Sequence, residues 1–70
     1  MMKTALEFTR PIFVSPGVHC VQIKHNGFWS DFASINDQED MAYACGLVER
    51  FPDAHRIICY SNGINVVFAN

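Results

Sequence analysis

The chain has 70 residues, half of them apolar and 13% aromatic, with a formal charge of −2. A domain of this size hides only roughly 60% of the surface that its unfolded form exposes, which limits it to one small core and one domain over residues 1–70. The composition argues against intrinsic disorder, and the near-neutral charge removes any global pull toward nucleic acid or an anionic membrane.

Charge is uneven along the chain. Asp37, Glu39, Asp40, Glu49 and Asp53 face only Arg50, a net −4 for the middle segment, while the remainder carries +2. Three cysteines, Cys20, Cys45 and Cys59, are an odd number at wide spacings, and "MMKTALEFTRP" lacks the apolar run of a secretory leader. Reduced thiols in a soluble cytoplasmic protein are expected, with no membrane span.

Residues 1–17 hold Leu6 and Phe8 in alternation, then Pro11, then Ile12-Phe13-Val14 and a Ser-Pro-Gly turn. Proline confines a strand to an edge or a break, so this stretch reads as an edge strand or arm, available to cover a second face of a sheet.

Residues 18–35 read as a hairpin about Asn26-Gly27, the dipeptide of a type I′ turn. That loop pairs His25 with Phe28, Lys24 with Trp29, Ile23 with Ser30, Gln22 with Asp31, Val21 with Phe32 and Cys20 with Ala33. Strand alternation then gathers Val21, Ile23, Phe28 and Phe32 on a core face and Cys20, Gln22, Lys24, Trp29, Asp31 and Ala33 on the other.

Residues 36–51 read as a helix, with Asn36 as N-cap, Glu39 as its capping-box partner and Pro52 as its stop. Met41, Ala44, Val48 and Phe51 form the packing stripe, flanked by Cys45 and Leu47. The outer arc carries Glu39, Tyr43, Gly46, Glu49 and Arg50.

Residues 55–70 repeat the hairpin about Asn62-Gly63, pairing Ser61 with Ile64, Tyr60 with Asn65, Cys59 with Val66, Ile58 with Val67 and Ile57 with Phe68. One face is apolar throughout; the other, with Arg56, Ile58, Tyr60, Asn65 and Val67, is half polar. The whole predicts an α+β fold: an antiparallel sheet of four to five strands, an N-terminal strand plus ββαββ, with one amphipathic helix on one face.

Chemistry-bearing motifs are sparse. No Cys-x-x-Cys or helical His pair suggests a metal site, each His sits at a strand end as a polar flank, and no glycine-rich loop precedes a helix. Neither an enzyme nor a cofactor is expected. With five scattered Lys and Arg, direct nucleic-acid binding lacks its electrostatic term, although Lys24 beside Trp29 suggests a cation–π contact. A protein-contact surface remains: Trp29, Tyr43 and Tyr60 with the helix acids Glu39, Asp40 and Glu49, directed at a basic partner.

The layout "VHCVQIKHNGFWSDF", "NDQEDMAYACGLVERFP", "RIICYSNGINVVF" resembles the compact ββαββ anti-CRISPR proteins of phages and mobile elements in element order and length, with no shared motif. The resemblance implies a non-enzymatic inhibitor in the host cytoplasm. It would occupy a basic, nucleic-acid-binding surface on a defence nucleoprotein. Two alternatives stand beside it: a homodimeric module of a mobile gene cassette closing Ile58 and Val67 on a twofold axis, and a small-ligand or nucleic-acid binder using Trp29.

Overall fold

The computed structural model describes residues 8–70. Strands β1 (His19–His25) and β2 (Phe28–Ile35) are followed by helix α1 (Gln38–Arg50) and strands β3 (His55–Ser61) and β4 (Ile64–Phe68). They build an antiparallel sheet in the order β2-β1-β3-β4, with α1 on one face, the α+β architecture expected.

Both Asn-Gly pairs form I′ turns. Asn26 and Gly27 have φ of 52° and 82°, and Asn62 and Gly63 have 52° and 73°. Glycine reaches such angles without a Cβ penalty and asparagine tolerates them, so the turns set the hairpin registers locally. The second hairpin pairs as read from the sequence, from Ser61↔Ile64 to Ile57↔Phe68. The first does so only from His25↔Phe28 to Gln22↔Asp31.

Beyond Asp31 a β-bulge intervenes, and Val21 pairs with Ala33 and Cys20 with Ser34, not with Phe32 and Ala33. The extra residue is Phe32, which is 59% exposed; Phe28, at the hairpin tip, is exposed as well. Neither belongs to the core assigned to them by strict alternation. The bulge exchanges the two faces for the rest of β2, so that Ile35 enters the core at 1% exposure.

The helix begins one residue later than expected. Asp37, not Asn36, is the N-cap: its side chain accepts from the Asp40 backbone N–H at 2.7 Å, and Asp40 in turn accepts from the Asn36 N–H at 3.1 Å. The cap is therefore shared by Asp37 and Asp40, with Asp40 reaching back to the amide one residue before the N-cap rather than to that of Asp37 itself. Phe51 is the C-cap, its N–H bonded to the Leu47 carbonyl. It leaves the packing stripe for solvent, tilted against His55 at 5.9 Å.

Met41, Ala44, Cys45 and Val48 of α1 pack on Val21, Ile35 and Ile57. The described part of the arm, from Phe8 onward, joins this side rather than covering the opposite one. Phe8 and Phe13 lie against the same core, Pro11 is buried, and Arg10 pairs with Glu49 on the helix. Residues 8–14 form no strand; the expectation for Leu6 and the residues before it lies outside the described residues.

Candidate functional site

The face of the sheet turned away from α1 carries Gln22 and Lys24 from β1, Trp29 and Asp31 from β2, and Arg56 and Tyr60 from β3. Strand order decides what meets there. Because β1 is central, Gln22 stands between Asp31 on one side and Arg56 on the other.

Gln22 Nε2 donates to Asp31 Oδ1 at 2.8 Å, and Arg56 Nε donates to Gln22 Oε1 at 2.7 Å. The Tyr60 hydroxyl donates to the same Asp31 oxygen at 3.0 Å. Two long side chains of β3 thus cross β1 to reach β2. Arg56 completes its crossing on Trp29, with its Cζ 4.4 Å from the ring centroid, and Lys24 Nζ approaches the same ring at 5.8 Å.

The network shifts its own titrations. Hydrogen bonds from Gln22 and then Tyr60 hold the Asp31 carboxyl below the usual range, while the bond to Asp31 raises the Tyr60 hydroxyl. Asp31 is therefore an acceptor held in its charged form, not a proton donor at neutral pH.

Of the residues read as partner-binding, Trp29 and Tyr60 belong to this open face, half-buried and 40% exposed respectively. Glu39, Asp40, Tyr43 and Glu49 lie on the helix, on the other side of the sheet. The six do not form one surface. Two of the helix acids also have internal work: Asp40 closes the cap and Glu49 pairs with Arg10. Glu39 and Tyr43 remain exposed on the outer arc, Tyr43 at 70%.

Sequence reasoning missed Gln22, Asp31 and Arg56 as site residues. The Gln22–Asp31 pairing was within reach of the turn register; the Arg56 contacts were not, since they depend on β1 and β3 being neighbours. The surface proposed for a homodimer also changes, because Ile58 is buried at 6% exposure and only Val67 remains open.

A shallow groove of about 220 Å³ between β2 and α1 is lined by Phe32, Ala33, Tyr43 and Leu47 among others. That is below the roughly 300–1,000 Å³ of sites that enclose a small molecule. His19 is not a polar flank: it is buried beside Phe68, its Nδ1 has no hydrogen-bond partner, and burial lowers its pKa. Burial raises the thiols of Cys20 and Cys45, opposite to the activation of a nucleophile. Among the described residues, no group of three or more His, Cys, Asp or Glu is placed to hold a metal ion, and no helix is long and apolar enough to cross a membrane.

Comparison with protein-family models, with curated proteins and with solved structures found no match to this chain.

Proposed function

We propose that the protein is a non-enzymatic, protein-binding module whose contact surface is the open face of its sheet. The observation that carries this reading is the Tyr60–Asp31–Gln22–Arg56 chain, which ends on Trp29 and fixes long polar side chains across three strands. Side chains already ordered lose little freedom on docking, and Trp, Tyr and Arg are the types that concentrate binding energy at interfaces.

Affinity capture from a lysate of the source cells tests it, using the wild type beside Trp29→Ala and Arg56→Glu. Loss of the same captured proteins with both folded variants is the expected result. Capture unchanged by either overturns the reading.

The exposure of Tyr43 one helical turn from Glu39 favours a second reading, in which the outer arc of α1 meets a basic surface. On this reading the helix supplies the acidic part of the surface through which an inhibitor of a host defence nucleoprotein would act, without Trp29 and Tyr60. Glu39→Lys combined with Tyr43→Ala would then abolish capture that Arg56→Glu leaves intact; the reverse pattern rejects it.

A further inference from the structure

Two cations converge on one indole without a carboxylate between them. Arg10–Glu49 is the one ion pair among the described residues, and none of the described carboxylates neutralises Lys24 or Arg56 by contact. Asp31, the acid of the open face, instead accepts at its Oδ1 from the Gln22 amide and the Tyr60 hydroxyl.

Arg56 is anchored by its Nε on Gln22 and lies over Trp29, and among the described residues no hydrogen bond engages its two terminal nitrogens. A guanidinium held in this way presents a planar fork whose geometry matches a carboxylate, and it has little rotamer entropy left to lose. Lys24, over the same ring, adds a second positive charge whose repulsion from the first an incoming anion would relieve.

The chemistry favours a carboxylate over a nucleic-acid strand. Affinity for a polyphosphate grows with the number of phosphates neutralised, and this face offers two cations beside a charged Asp31. The indole that would stack a base is occupied by those cations. We infer that Lys24 and Arg56, seated together on Trp29, form a receptor for a side-chain carboxylate in an acidic segment of a protein partner. The inference rests on the open face being the contact surface.

The chain's only tryptophan is Trp29, so its emission reports on this site alone. The protein is titrated at low ionic strength with a blocked tetraglutamate peptide and, in parallel, with an oligothymidylate of equal charge. The expected result is a saturable change with the peptide that salt suppresses. Arg56→Gln should weaken it by about tenfold or more, as removal of a charge-assisted, two-pronged contact implies. A flat titration, or one that survives Arg56→Gln, overturns the inference, and a tighter response to oligothymidylate overturns the choice of a protein ligand.

Because Arg56→Gln also removes the donor to Gln22, the Nε–Hε resonance of Arg56 is followed in the unaltered protein. It should move to saturation with the peptide, and an unmoved resonance counts against the receptor. If Arg56→Glu abolishes capture from the lysate while tetraglutamate has no effect, the open face stands as the contact surface and the carboxylate assignment fails.

Discussion

Replacing Phe32 by alanine is expected to cost no more than about 1 kcal/mol. Full burial of a phenylalanine contributes roughly 1.5–3 kcal/mol, and here about two fifths of the side chain is withdrawn from water, at the edge of the β2–α1 groove. Ile57→Ala provides the contrast. Ile57 is fully buried on a central strand beneath the helix, and truncation at such positions costs about 2–5 kcal/mol. Total stability for a chain of this length is on the order of 4–10 kcal/mol, so the Ile57 variant should lose a large part of it. Urea unfolding followed by far-ultraviolet circular dichroism separates the two through their midpoints. If Phe32→Ala shifts the midpoint as far as Ile57→Ala does, Phe32 is a core residue and the bulge is wrong.

Gly46→Ala should stabilise the protein by about 0.5–1 kcal/mol, because a Cβ there meets nothing within 4 Å and the helix gains a better former; a loss of stability in thermal unfolding would contradict this. Asp37→Ala removes the N-cap and should cost about 1 kcal/mol in urea, and an unchanged midpoint would place the cap elsewhere. Burial holds the pKa of His19 below its usual 6.5, so on acidification the unfolded chain takes up this proton before the folded one. The contribution of His19 is therefore fully present above about pH 6.5 and declines as pH falls from there toward the lowered folded value. His19→Leu should flatten that part of the stability profile, measured by thermal unfolding in a buffer series, and an undiminished slope would assign it to another group.

The parts of the fold that were legible in the sequence are those fixed by neighbours in the chain. Asn62-Gly63 sets every pair of the second hairpin, and Asn26-Gly27 sets four pairs of the first before the register slips. The slip leaves no local trace, since Phe32 looks apolar and correctly phased whether or not it is paired. At the helix start, Asn36 and Asp37 are both competent caps, and the choice turns on which carboxylate lies three residues on, Glu39 or Asp40. The candidate site was legible as Trp29 and Tyr60 but not as a network. Arg56 acquires its role only when β1 lies beside β3, a contact between residues 34 positions apart that no periodicity encodes.

Strand β2 carries one more residue than its partner can accommodate. Removing Phe32 would join Asp31 directly to Ala33 and leave an unbroken ladder, with every later side chain on its present side. Removing a residue from the middle of β1 would instead shift its pairing with both β2 and β3. The two strands of one hairpin thus differ in their tolerance of length change: the edge strand can lose a residue where the central one cannot.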